Sequence, residues 1–263
     1  MYHSVYFGDK NSWTDWHLIP TTRPVILPPP MKTTTIDIPG ADGVLDLSTA
    51  LTGYPVYSNR TGSFEFIVEN GHDYWYEIYS DIMDALHGKN VVLRLEDDMA
   101  YYYYGRVVVN TWNSDEHYST ITLDYDLDPY KYSVSTTCGD WIWDPFNFQN
   151  GIMIQSMFKE IPIDTNQFET LDIPMVYYGR HLYGRKPTVV SLTWEPTDEN
   201  SPNLTVHFTN QELGIDKTVT YTTALDAHQE PEFIVSDLSR SNVIEWKVVG
   251  SGKLSIDYRL GRL

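Results

Sequence analysis

The chain has 263 residues, 41% of them hydrophobic, and carries 36 acidic against 18 basic side chains for a formal net charge of −18. That balance argues against a surface built to hold nucleic-acid phosphates, which needs Lys and Arg to displace counterions; the single cysteine, Cys138, excludes an internal disulfide. The length suits two domains of roughly 130 residues each, and the 20 Tyr, 8 Trp and 9 Phe favour strands and aromatic-rich contact surfaces.

The start, Met1 to Lys10, lacks a basic n-region and an apolar h-region, so Sec export is not expected. No run approaches the roughly 18 apolar residues needed to span a bilayer. The expectation is a soluble protein made in the cytoplasm, in which Asn59-Arg-Thr61 and Asn203-Leu-Thr205 match the glycosylation pattern by chance. Thr21-Thr-Arg-Pro-Val-Ile-Leu-Pro-Pro-Pro30 cannot be helical and suits an extended arm or edge segment. Thr33 to Ile38 alternates in the strand manner before a Pro-Gly turn, and a Gly- and Asp-punctuated stretch follows from Gly40 to Gly53. Ser63-Phe-Glu-Phe-Ile-Val68 alternates again.

Residues 73–88 carry the one convincing helix, with Trp75, Ile78, Tyr79, Ile82, Met83 and Leu86 forming a 3.6-period stripe. Asp73 is placed to cap its start, Gly88 to close it in a left-handed conformation, and His87 and Lys89 to meet the negative end of its dipole. A lone amphipathic helix in a strand-rich chain usually covers a sheet. Strands are expected at Asn90–Leu95, Tyr101–Val109 and Ser119–Tyr125. Beyond residue 133 short strands follow at Val189–Trp194, Leu204–Phe208, Thr218–Tyr221, Phe233–Val235, Val243–Val249 and Leu254–Tyr258. That spacing indicates an antiparallel sandwich.

Catalytic patterns find no support, and no catalytic, cofactor-binding or metal-binding residue is assigned. Asp124-Tyr-Asp-Leu-Asp128 starts like a calcium loop, but Pro129 stands where the loop needs Gly and no bidentate Glu follows. In a strand the same spacing puts three Asp on one solvated face. The eight His are scattered, one Cys cannot build a thiolate zinc site, and neither a Gly-x-Ser-x-Gly elbow nor a phosphate loop occurs. His207 reads as an ordinary sheet residue and Cys138 as an inert thiol. Tyr101 to Tyr104, and Trp141-Ile-Trp143 with the aromatics to Phe148, fit either a sugar platform or period-2 core and interface positions.

Several strings taken in order resemble the distal tail protein (Dit) family of long-tailed, non-contractile phages and related prophages. They are Phe7-Gly-Asp-Lys-Asn-Ser-Trp-Thr-Asp-Trp-His-Leu18, Pro39 to Leu47, Asn59-Arg-Thr-Gly-Ser-Phe-Glu-Phe66, Leu86-His-Gly-Lys89, Asp128-Pro-Tyr-Lys-Tyr132 and Gly252 to Leu263. The match is loose over residues 150–230. The resemblance implies a mainly β chain of two β-sandwich domains: a tail-tube-like, ring-forming domain over 1–132 with the single helix, and a galectin-like domain over 133–263. It implies a homo-hexameric ring at the virion tail tip, assembled in the bacterial cytoplasm. The ring would join the tail-tube protein to the tail-tip protein and let DNA pass without specific binding. Receptor-binding proteins are its implied partners on the C-terminal domain, with no cofactor, membrane or catalytic residue. On this reading the acidity acts as a wall that repels DNA; on composition alone the plainer reading is solubility through self-repulsion. The alternative function is a carbohydrate-binding adhesin that holds host wall sugars through residues 133–263.

Overall fold

A computed structural model describes residues 3–51, 55–69, 74–115, 117–134, 136, 138, 158–174, 176–177, 180–181, 188–210, 215–235, 243–259 and 261–263. The chain divides into two compact units, Met1–Lys131 with Leu263, and Tyr132–Arg262. Each has its own apolar core. The protein is mainly β, with a curled sheet in each unit.

The first unit contains β1 (Val5–Phe7), β2 (Lys10–Asn11), β3 (Leu18–Pro20), β4 (Thr35–Asp37), β5 (Val44–Asp46), β6 (Arg60–Val68), α1 (Trp75–Leu86), β7 (Lys89–Leu95), β8 (Tyr101–Ser114) and β9 (Ser119–Leu127). Seven of these strands pair antiparallel in the order β2-β1-β7-β8-β9-β6-β3. Strand alternation sends Phe64, Phe66 and Val68 from β6, and Ile121, Leu123, Tyr125 and Leu127 from β9, into one core. Onto this face α1 lays Trp75, Ile78, Ile82 and Leu86, four positions of the stripe seen in the sequence.

The helix starts after Tyr74, which makes no side-chain cap, while the expected cap Asp73 lies outside the described residues. Its end follows expectation at Gly88, where φ is +74°, and at Lys89, whose Nζ donates to the carbonyl of Asp84. His87 acts differently from expectation. Its Nδ1 accepts the Val109 N–H at 3.2 Å, so the ring pins the helix end to β8.

The loop from Gly8 to His17 ties down the N-terminal strands with its own polar groups. Asn11 Oδ1 accepts the N–H groups of Trp13 and Thr14, and its amide donates to Ser4 Oγ at 3.1 Å. Asp15 accepts the Asn11 N–H at 2.8 Å, and this bond, with Lys10 nearby, holds its carboxyl below the ordinary range. The Phe7–Leu18 string is thus a self-satisfied turn packed by Trp16, which is buried in the core.

β10 (Lys131–Ser133) spans the division between the units. The second unit continues with β11 (Ile161–Pro174), β12 (Val176–Tyr177), β13 (Arg180–His181), β14 (Thr188–Pro196), β15 (Leu204–Asn210), β16 (Ile215–Tyr221), β17 (Leu225–Val235), β18 (Val243–Asp257) and β19 (Gly261–Arg262). Its main sheet runs β16-β15-β18-β14-β17, with β11 also paired to β18. Two strands expected at Val243–Val249 and Leu254–Tyr258 are one strand here. β18 pairs with β15 over Glu245–Val249 and with β14 over Gly252–Asp257. Gly250 and Gly252 stand where the partner changes, and they read as turn residues because glycine marks both turns and strand corners.

Tyr258 gives this unit a pH dependence. Its ring is buried, 6.2 Å from that of Phe158, and burial pushes its phenol well above the usual range. The folded form therefore favours the neutral phenol. Its stabilising contribution is complete below about pH 10, where the unfolded phenol titrates, and is lost as pH rises toward the higher folded value. The urea midpoint of the second unit is expected to fall between pH 8 and pH 11. A Tyr258→Phe variant should fall less; equal falls in both proteins would refute the assignment to Tyr258.

Candidate assembly interface

Several of the side chains weighed for metal binding or catalysis make structural contacts. Asp124 accepts from the Asn110 amide at 2.6 Å and Asp126 from the Asn59 amide at 2.8 Å, both on the outward side of β9, while Asp128 follows the strand. Among the described residues no group of three or more His, Cys, Asp or Glu side chains is placed to hold a metal ion. His207 Nε2 meets Asp216 Oδ1 across β15 and β16 at 2.7 Å. Cys138 is partly buried, with its Sγ 3.3 Å from the Phe158 carbonyl oxygen. Tyr103 is buried and Tyr104 exposed, so this pair alternates between core and surface. The Trp141–Phe148 cluster lies outside the described residues. Among the described residues no helix is long and apolar enough to cross a membrane.

Exposed apolar side chains point elsewhere. Among the described residues they all belong to the first unit, and more than half fall between Val25 and Leu51. Residues 31–46 are exposed without interruption, and they contain the hairpin of β4 and β5. Cross-strand partners share a face. Ile36 faces Leu45 on one side, with Ile38 two residues on, while Thr35–Asp46 and Asp37–Val44 make the other side. The turn uses Gly40 at φ +85° and Gly43 at φ +78°, conformations that glycine adopts without strain. The hairpin base is closed by Thr34 N–H to Ser48 Oγ and Leu47 N–H to the Thr34 carbonyl. Asp46 accepts the Ser48 N–H there, and its bonds from Ser48 hold its carboxyl below the ordinary range.

An anchor fixes where this segment leaves the domain. Arg60 is buried at 4% exposure, its guanidinium donating from Nε to the Pro129 carbonyl and from Nη1 to the Leu27 carbonyl, each at 2.9 Å. It also lies over the Tyr103 ring at 5.5 Å. Burial draws its pKa below the ordinary arginine value, and Tyr103 and Tyr125 oppose that shift. Tyr125 adds a second hold, its hydroxyl accepting the Leu27 N–H at 3.1 Å. Further along, Lys32 N–H bonds to the Val56 carbonyl and Ser58 N–H to that of Pro30. The Pro-rich stretch expected as an extended arm therefore is one, clasped at Leu27 and at Pro30–Lys32. The clasp was legible in principle, because Arg60 has the strand parity of the inward-facing Phe64 and Phe66.

The geometry defines a class: a mainly β protein of two units whose potential for contact lies in an exposed apolar hairpin of the first. Among solved structures the chain is similar to the crystal structure of the SPP1 Dit protein (gp 19.1), described as a paradigm of the hub adsorption apparatus in phages that infect Gram-positive bacteria. The two share 13% identity and a TM-score of 0.55, with 99% of each chain covered. At that identity the likeness establishes the fold. No family profile and no curated protein sequence matches the chain.

Proposed function

We propose that this protein is a structural component of a phage tail tip, a homo-hexameric ring that joins the tail tube to the tail-tip proteins and lets DNA pass through its lumen. The observation that carries the reading is the β4–β5 hairpin. A two-stranded hairpin is marginal in water unless a face is covered, and this one has Ile36, Ile38 and Leu45 on one side with no core of its own to enter. A partner surface has to cover it. The fold shared with SPP1 Dit supports placing that partner in a tail hub. On this reading the first unit is the tail-tube-like ring former, and the second is a galectin-like outer domain available to receptor-binding proteins. Among the described residues the exposed large apolar side chains are confined to the first unit, which favours an assembly role for that unit.

Ring formation follows the rule for heterologous interfaces, in which one patch meets a different patch on the next copy until the rotation closes. Electron microscopy of the purified protein should show six-fold rings with a central hole, and an Ile36→Asp, Leu45→Asp variant should elute as a folded monomer. A parent protein that stays monomeric at high concentration would refute the reading.

A further inference from the structure

We infer that the hairpin of one copy seats on the outward face of β7 and β8 of the next, an assignment that rests on the ring reading above. Three observations single out that face. Val92 and Tyr104 are cross-strand partners, 37% and 43% exposed, and form an apolar spot on the side of the sheet away from the core. Arg94 lies two residues further along the same face of β7, its guanidinium over the Tyr6 ring at 5.6 Å. Its Nε is buried with no hydrogen-bond partner, and no carboxylate pairs with it among the described residues.

The hairpin complements each feature. Ile36, Ile38 and Leu45 make a clean apolar face of the width of one strand pair. Asp42 sits in the turn beyond Ile38, exposed and without an ion-pair partner among the described residues. Laying the apolar face on Val92 and Tyr104 brings a turn carboxylate to the end where Arg94 waits. An arginine with no carboxylate partner among the described residues gains most from a carboxylate delivered during assembly, because the contact excludes water from the pair. The patch and the hairpin are different surfaces of one molecule, so the contact is heterologous and can repeat around a ring.

Disulfide trapping tests the seat on the full chain. In a Cys138→Ser background, the paired substitutions Leu45→Cys and Tyr104→Cys should give, on mild oxidation, a ladder of covalent species from dimer up to six chains, and neither single cysteine should. Arg94→Glu should shift the ring toward monomer, and Asp42→Arg added to Arg94→Glu should restore a large part of the ring population. If rings form by microscopy but the cysteine pair does not cross-link and the charge swap restores nothing, this seat is wrong while the ring stands. If trapping stops at dimers, the contact is two-fold and the seat is also wrong. A protein that never forms rings overturns both readings.

Discussion

Replacing Arg60 by Met is expected to destabilise the first unit by about 3 kcal/mol and to loosen the arm at Leu27. Hydrogen bonds from a charged donor are worth about 1.5–3 kcal/mol each, and Arg60 makes two, to carbonyls that lie 33 and 69 residues away in sequence. Removing the guanidinium leaves both carbonyls short of a donor at a site where the side chain is 4% exposed. Two effects offset part of this loss. The desolvation of the cation disappears, and Met fills some of the vacated volume against Tyr103. Lysine keeps the charge but not the planar fork, so Arg60→Lys should cost roughly two-thirds as much. The readouts are the urea midpoint at unchanged slope and amide exchange at Leu27, whose N–H is held by Tyr125. A methionine variant as stable as the parent, with Leu27 exchange unmoved, would show that the clasp contributes nothing.

That clasp also marks the limit of what the sequence shows. Periodicity located α1, because burial of Trp75, Ile78, Ile82 and Leu86 is a local pattern repeated along one face. It also located β6, β7, β8 and β9, although β8 runs on to Ser114, past the expected end at Val109. Period-2 patterns do not say which segment covers which. Thr33–Ile38 alternates like a core strand, yet β4 is exposed at every residue, since whether an apolar face is buried depends on tertiary or quaternary partners. His87 was misjudged for a related reason: its acceptor role depends on Val109, brought alongside by the β7–β8 pairing.

The candidate interface was half legible. The proline-rich composition of residues 21–30 and the glycines at 40 and 43 announced an arm and a tight turn. The faces of the hairpin required the register Ile36↔Leu45, and the Val92–Tyr104 spot required the β7–β8 register. Both connections are short, but spacing does not say where in each the turn falls, and a slip of one residue exchanges the two faces. In the second unit β11 was missed altogether, as its 14 residues mix Asp, Thr, Asn and Pro without clear alternation. Its pairing with β18 organises a strand that composition alone does not reveal.

The second large effect is expected at Gly252, where alanine should cost the second unit about 3 kcal/mol. A Cβ there would sit 2.3 Å from the Glu195 carbonyl oxygen, 2.9 Å from the Pro196 Cα and 2.8 Å from the Trp194 ring. Two of these neighbours are backbone of β14, the strand hydrogen-bonded to Gly252, so relief requires the strands to part. Overpacking of this kind typically costs about 1–3 kcal/mol, and the upper end applies because no flexible side chain can move aside. Trp194 explains why the space is so tight. It is fully buried, it donates from Nε1 to the Pro202 carbonyl at 2.9 Å, and its ring covers both Gly250 and Gly252. An aromatic lying over strand glycines supplies the contacts that missing side chains cannot. Trp194→Ala should therefore cost about 4 kcal/mol, the range for removing a buried aromatic. The two substitutions share one of the three close contacts, so combining them should cost somewhat less than their sum: alanine at 194 removes the ring from the methyl at 252 but leaves the β14 backbone in its way. Strict additivity in the double variant would sever the link between the ring and the glycine pair. Faster amide exchange in β14, β15 and β18 should accompany each single substitution, because β18 changes partner at this corner.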